Sequence, residues 1–260
     1  MIKALFFDID GTLVSFRTHR IPQSTIEAIK QAKNNGTKIF ISTGRPMSLI
    51  NNIEEIRHLT DGYITANGAY CLAGGQVIYC NPVPATDVTT VIRYADENNF
   101  ACMIVGEHDL TMYNTNMKAD RIFREMLNVD NLNNDIPIDR LLSQRILQLT
   151  PVISEETEQT IMNQLTGSVS CRWCPDFADI TARNSDKGSG MKAIIKELGL
   201  AEEETMAFGD GGNDVSIVEQ AGIGVAMGNA NDCLKQVADY TTTSVDEDGV
   251  YNALRHFNVI

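Results

Sequence analysis

The chain has 260 residues, 43% hydrophobic and 21% charged, with a formal net charge of −13. Such a length and composition belong to a folded protein of one large or two smaller domains and exclude disordered and fibrous classes. The acidic balance argues against nucleic acid and membrane surfaces as partners, because both attract basic clusters, whereas a small phosphate ester needs only local positive charge. No apolar run reaches the roughly 20 residues of a membrane span. The start, Met1 to Phe7, lacks the apolar stretch and cleavage site of a secretory signal. With six scattered cysteines (71, 80, 102, 171, 174 and 233), these features predict a cytoplasmic protein with reduced thiols.

Ala4-Leu5-Phe6-Phe7 reads as a buried strand that delivers Asp8-Ile9-Asp10-Gly11-Thr12 at its carboxyl end. Residues two apart on a strand share a side, so Asp8 and Asp10 are expected to point together and to need a cation or a proton between them. Ser24-Thr25-Ile26-Glu27 reads as a capping box opening a helix that ends at Gly36, followed by a strand at Lys38 to Ser42. This strand-helix-strand spacing favours parallel strands. A helix beginning at Pro46 comes next, then a strand at Tyr63 to Ala66 and a hairpin turning at Gly74-Gly75.

From Thr86 to about Thr181 the pattern changes to mixed helices and short strands: a helix to Asn98, strands at Ala101 to Val105 and Leu110 to Tyr113, a helix around Arg121, a strand at Ile146 to Leu149, a helix at Glu155 to Leu165, and strands near Val169 and Ile180. The βα alternation then returns, with a helix at Lys187 to Leu198, strands at Thr205 to Phe208 and Ile223 to Ala226, and a last strand and helix around Tyr240 and Tyr251. The expected fold class is α/β: a Rossmann-like parallel-sheet core, residues 1–82 and 183–260, interrupted by an inserted α+β domain at 83–182.

Four chemistry-bearing sites recur at strand ends or helix starts of that core, where open parallel sheets bind ligands. They are Asp8/Asp10, Thr43-Gly44-Arg45, Lys187, and Gly209-Asp210-Gly211-Gly212-Asn213-Asp214. Neither acidic loop fits a calcium-binding EF-hand, because the glycine and the twelfth ligand are misplaced. Gly222-Ile-Gly224-Val-Ala-Met-Gly228 misses the dinucleotide fingerprint by one residue. Cys171-Arg-Trp-Cys174 lacks the second pair that a zinc site requires.

In order and spacing the four sites resemble the motifs of the haloacid dehalogenase-like phosphohydrolases, and the size of the insertion resembles their Cof-type subfamily with its C2B cap. The likeness is closest to Cof-type sugar phosphatases, including hexose phosphate phosphatases, through LFFDIDGTLVSF, IFISTGRP, DGYITANGAY, MAFGDGGND, GIGVAMGNA and DEDGV. The resemblance implies that Asp8 attacks phosphorus to form an aspartyl phosphate and that Asp10 is the general acid and base. It implies phosphate binding by Ile9, Thr43, Gly44, Lys187 and Asn213. Mg²⁺ would be held by Asp8, the backbone carbonyl of Asp10 and Asp210, with Asp214 either behind these ligands or joined to the ion through a water. Arg45, Asn67 and, in the cap, Arg172 are candidate substrate contacts, with Trp173, Asp179, Glu107 and His108 as further cap candidates. A phosphomannomutase-like phosphotransferase and a catalytically silent binding protein are the alternatives that this pattern leaves open.

Overall fold

The computed structural model describes residues 1–126 and 136–260, apart from the side chains of Met126 and Trp173. In chain order the strands are β1 Ala4–Phe7, β2 Lys38–Ser42, β3 Gly62–Thr65, β4 Tyr70–Ala73, β5 Gln76–Cys80, β6 Cys102–Gly106, β7 Leu110–Tyr113, β8 Ile146–Pro151, β9 Ser168–Cys174, β10 Phe177–Ala182, β11 Thr205–Gly209, β12 Ile223–Ala226 and β13 Tyr240–Thr241. The helices are α1 Gln23–Asn34, α2 Glu54–Arg57, α3 Ala85–Asn98, α4 Met117–Asp120, α5 Ile138–Leu142, α6 Glu155–Met162, α7 Lys187–Leu198, α8 Val215–Gln220, α9 Asp232–Lys235 and α10 Gly249–His256.

The chain divides into two compact units. The first comprises Met1–Arg45, Ile50–Tyr79 and Asp186–Ile260; the second comprises Pro46–Leu49 and Cys80–Ser185. An eight-stranded sheet ordered β13-β12-β11-β1-β2-β3-β4-β5 organises the first. Its strands run parallel from β13 to β3, and β4 turns antiparallel. All four residues of β1 are buried, as a central parallel strand covered on both faces requires. Phe6 stacks on Phe40 at 5.0 Å and Phe7 on Phe208 at 4.8 Å, locking β1 between β2 and β11.

The second unit is built on a five-stranded antiparallel sheet, β7-β6-β8-β10-β9. Ile104, Leu149 and Ile180 from three of its strands pack with Val88, Val91 and Ala95 of α3 and Ile161 of α6 into a core of its own. Together the two sheets give the expected α/β architecture with an inserted α+β unit.

Two local expectations are corrected. The capping box at Ser24 does not form: α1 starts earlier behind Pro22, which leaves Ser24 inside the first turn, where its hydroxyl donates to Asp248 at 2.5 Å. The helix expected from Pro46 is a single 3₁₀ turn, Met47–Leu49, separated from α2 by Asn52 in the left-handed region at φ 60°. Among the described residues no helix is long and apolar enough to cross a membrane.

Candidate active site

The register of the central strands sets Phe7 beside Ile41 on one side and Phe208 on the other. Asp8, Thr43 and Asp210, one or two residues further along these parallel strands, therefore emerge at one carboxyl edge of the sheet. Lys187 arrives from α7. The Asp186 side chain caps that helix by accepting from the Ser189 amide at 2.8 Å, and Gly199 ends it in the left-handed conformation at φ 65°. This fixes Lys187 at the first helical position.

Lys187 is fully buried between two carboxylates, donating from Nζ to Asp8 Oδ1 at 2.6 Å and to Asp214 Oδ1 at 2.5 Å. The other Asp214 oxygen accepts from the backbone amides of Asp210 and Gly211, at 3.0 and 2.9 Å, so Asp214 shapes the loop that carries Asp210. Gly209 makes room for it: a Cβ there would fall 2.4 Å from that of Asp214. Asp8, Asp210 and Asp214 each offer an oxygen within 4.8 Å of the others.

Three carboxylates against one ammonium leave the cluster short of positive charge. Burial pushes the Asp8 carboxyl well above the usual carboxylate range, and its acidic neighbours add to the rise while Lys187 opposes it. Asp210 is pushed up to about 7, first by burial and then by Asp214. Burial works against the charge on Lys187, but Asp214 and Asp8 outweigh it and hold the ammonium above its ordinary value. An all-oxygen, electron-rich donor set that raises its own carboxyl pKa values fits a hard divalent cation such as Mg²⁺.

The two aspartates of the first motif have different cationic partners. The strand ends at Phe7, so the two-residue alternation does not extend to Asp10, and Gly11 turns the chain at φ 82°. A Cβ on Gly11 would lie 2.2 Å from Asp210 Oδ2. The Asp10 carboxylate, expected with Asp8 to need a cation or a proton, is clasped by Arg45, with Nε to Oδ2 at 2.8 Å and Nη2 to Oδ1 at 2.7 Å. Arg45, expected among the substrate contacts, thus has a partner inside the site.

The neutral donors gather beside this group. Thr43 is buried, and its hydroxyl oxygen accepts from the Arg45 amide at 3.1 Å, leaving its hydrogen free to donate elsewhere. Asn213 Nδ2 donates to Asn67 Oδ1 at 3.1 Å, and both amides crowd Gly44, where a Cβ would fall 2.9 Å from Asn67 Oδ1. Asn67 is held in a left-handed turn, with Ala66 and Asn67 at φ 49° and Gly68 at φ 90°. Such strain persists only where its surroundings enforce it. Here Gly68 abuts the start of α7, for a Cβ on it would sit 2.0 Å from the Asp186 carbonyl oxygen. Ile9 itself is buried, and its carbonyl accepts from the Leu13 and Val14 amides.

Three site residues escaped sequence reasoning. Thr12 Oγ1 donates to Asp210 Oδ1 at 3.3 Å, and Asn51 Oδ1 accepts from Arg45 Nη1 at 2.5 Å. Asn229 donates to the Gly11 carbonyl at 2.8 Å and accepts from the Val245 amide at 3.0 Å, tying the GNA segment and the residue just before DEDGV to the first motif. Thr12 and Asn229 lay within motif segments, DIDGT and GIGVAMGNA, whereas Asn51 carried no signal.

The cap candidates meet a different fate. Arg172 is not free for substrate: Nε donates to Glu158 Oε2 at 2.5 Å, Nη1 to the Cys174 and Pro175 carbonyls at 3.2 and 2.9 Å, and Nη2 to the Ile153 carbonyl at 3.1 Å. A guanidinium so committed fastens β9 to α6 and to the β9–β10 turn, which corrects its expected contact with substrate. Asp179 is buried and accepts from Gln148 and Thr150, both at 2.8 Å. Glu107 pairs with Arg145 at 2.8 Å, and the His108 amide donates to Gln144 at 3.0 Å. The Trp173 side chain lies outside the described residues.

A family model of haloacid dehalogenase-like hydrolases matches residues 5–254. The chain belongs to this family. The chain is similar in structure to the subclass IIB sugar phosphatase BT4131, with 45% identity, a TM-score of 0.92, and 99% of this chain and 100% of that one covered. It is also similar to BT1666 from Bacteroides thetaiotaomicron, a phosphatase of the same superfamily, with 37% identity, a TM-score of 0.89, and 100% and 96% covered. Among curated proteins, the 5-amino-6-(5-phospho-D-ribitylamino)uracil phosphatase YcsE of Bacillus subtilis is 27% identical over 271 residues, covering 98% of this chain and 96% of its own. The chain is accordingly a phosphatase of the haloacid dehalogenase-like family.

Proposed function

We propose that this phosphatase hydrolyses monoesters of small phosphorylated metabolites, hexose phosphates foremost, in the cytoplasm, with Mg²⁺ as cofactor and the inserted unit, residues 83–182, selecting the leaving group. The observation that carries the reading is the fully buried Lys187 bridging Asp8 and Asp214 beside Asp210 at the sheet's carboxyl edge. The sugar preference rests on the likeness to BT4131, and the polyol phosphate handled by YcsE keeps the wider class of small phosphate esters in view.

In this reading a carboxylate oxygen of Asp8 attacks phosphorus, the bond to the sugar oxygen breaks, and Asp10 gives its proton to that leaving oxygen. Water then attacks the aspartyl phosphate, Asp10 takes the proton, and the acyl-phosphate bond breaks to release inorganic phosphate and restore Asp8. Thr43, the Gly44 amide, Lys187 and Asn213 donate to the equatorial oxygens, whose negative charge grows in the transition state. Asp8, the Asp10 carbonyl and Asp210 would hold Mg²⁺, with Asp214 behind them or joined to the ion through a water, and the ion would supply electrostatic stabilisation of that charge.

Phosphate release from a panel of sugar, polyol, nucleotide and cofactor phosphates, run with Mg²⁺ and with EDTA and with Asp8→Asn as control, tests the reading. Mg²⁺-dependent and Asp8-dependent release, strongest for hexose phosphates, is the expected result. Transfer of phosphate to a second sugar without free phosphate would make the protein a mutase, and no turnover of any member would leave a binding protein.

A further inference from the structure

We propose that Arg45 is the positioning residue for Asp10, and that Asn51 holds Arg45 in that place. The inference rests on the reading of Asp10 as general acid and base, and it replaces the expected contact of Arg45 with substrate.

Each Asp10 carboxylate oxygen accepts from a different nitrogen of the same guanidinium, at 2.8 and 2.7 Å. A planar fork engaging both oxygens fixes the plane of a carboxylate as well as its position, which a single point charge cannot do. The torsion it restrains is otherwise a broad one. A carboxylate oxygen has two lone pairs, so the clasp occupies one on each and leaves the other in a fixed direction for the transferred proton.

The clamp is itself built in. The remaining guanidinium nitrogen, Nη1, donates to Asn51 at 2.5 Å, so all three nitrogens are engaged. The Arg45 backbone is pinned on both sides, its amide donating to Thr43 Oγ1 and its carbonyl accepting from Ala66, each at 3.1 Å. Its side chain is only 19% exposed. The proton path keeps its balance: Asp10 loses a proton to the leaving oxygen as the ester bond breaks and regains one from the attacking water, while Arg45 keeps its own protons throughout.

Orientation of the acid matters most where the leaving group needs a proton. An alkoxide from a sugar does, whereas p-nitrophenolate departs without one. Arg45→Ala, Arg45→Lys and Asn51→Ala are compared with the wild type on a hexose phosphate and on p-nitrophenyl phosphate, with and without guanidinium chloride, alongside melting temperatures. Arg45→Ala should lower kcat on the hexose phosphate about 10²-fold and on the aryl ester about 10-fold or less. KM should stay within about 3-fold of the wild type. Added guanidinium should restore part of the hexose phosphate rate. Arg45→Lys should resemble Arg45→Ala, because an ammonium cannot reproduce the fork, and Asn51→Ala should show the same split at smaller amplitude. If Arg45→Ala does not fold, the other two variants carry the comparison.

A raised KM with kcat retained would mean that the guanidinium contacts substrate, and equal losses on both esters without rescue would mean that it only supports the scaffold. Either result overturns the inference while the phosphatase stands. A wild type that releases phosphate from neither ester overturns the proposed function and this inference with it.

Discussion

In the first unit a buried lysine sits between Asp8 and Asp214 at 2.6 and 2.5 Å, whereas in the second the buried Asp179 accepts from the neutral Gln148 and Thr150, both at 2.8 Å. Strand direction accounts for much of the difference. Parallel β1, β2 and β11 all end at one edge, so the residues that follow them converge there without any strand having to bend. Antiparallel neighbours send successive loops to opposite edges, and their polar residues meet instead across a sheet face. Leu149 pairs with Ile180, which sets Thr150 opposite Asp179. The parallel edge concentrates charge where a ligand can reach it, and the antiparallel face absorbs polarity into packing.

The sharpest way to break this contrast is at the nucleophile. Asp8→Asn should lower phosphate release by about 10⁴-fold or more, as loss of a nucleophile does in covalent catalysis. It should leave folding intact, because it lightens a cluster already too acidic. Circular dichroism together with turnover of a hexose phosphate checks both halves, and turnover near the wild-type rate would remove Asp8 from the chemistry.

Lys187→Met asks how much the edge depends on its single ammonium. Removing one member of a buried charge group leaves the others uncompensated, which typically destabilises by about 3–5 kcal/mol. Urea unfolding in EDTA should show that loss, and Asp8→Asn in the same background should recover part of it by removing one of the stranded charges. A variant as stable as the wild type would show that solvent reaches the cluster.

What the sequence revealed of this contrast follows from how local each signal is. Asp8, Thr43, Lys187 and Asp210 announce themselves because each stands directly after an apolar strand or at a capped helix start, and the strand-helix-strand spacing from Asp8 to Thr43 favours parallel strands. The partners of Asp10 and Arg172 were hidden for opposite reasons. Asp10 was placed by extending strand alternation beyond Phe7, where the strand has already ended. Arg172 reads the same on a strand whether its guanidinium faces a substrate or the carbonyls of its own unit, and only the fold brings Glu158 and Ile153 to it. Asn51 and Thr12 are polar residues among many, selected by contacts 6 residues away in one case and 198 in the other.

Arg172 supplies the corresponding test in the second unit. Arg172→Ala would strand Glu158, whose side chain is 10% exposed, and leave three carbonyls without this donor. A cost of about 2–3 kcal/mol is expected, at or just below the bottom of the range for broken buried pairs because both groups keep some access to water. Below the melting transition kcat/KM for a hexose phosphate should stay within about 3-fold of the wild type. A large rise in KM at unchanged stability would return Arg172 to the substrate.

The smallest effect expected is the titration of the acidic edge itself. In the absence of metal Asp210 is held at about 7, above its value in an unfolded chain, with Asp8 shifted the same way. A carboxyl raised on folding contributes stability that is fully present below its unfolded pKa, near 3.9, and is lost as pH rises through the folded value. In EDTA the melting temperature should therefore fall between about pH 4 and 7, by several degrees at most for a protein of this size. Asp210→Asn should reduce that slope and Asp210→Asn combined with Asp8→Asn should remove most of it, which separates it from the titration of the rest of the surface. Saturating Mg²⁺ should flatten it as well, since the cation favours the ionised carboxylates and must displace their protons to bind. The second unit offers no comparable cluster of carboxylates among its described residues, so a slope that survives in the double variant would place the titrating groups elsewhere and break the contrast between the two sheets.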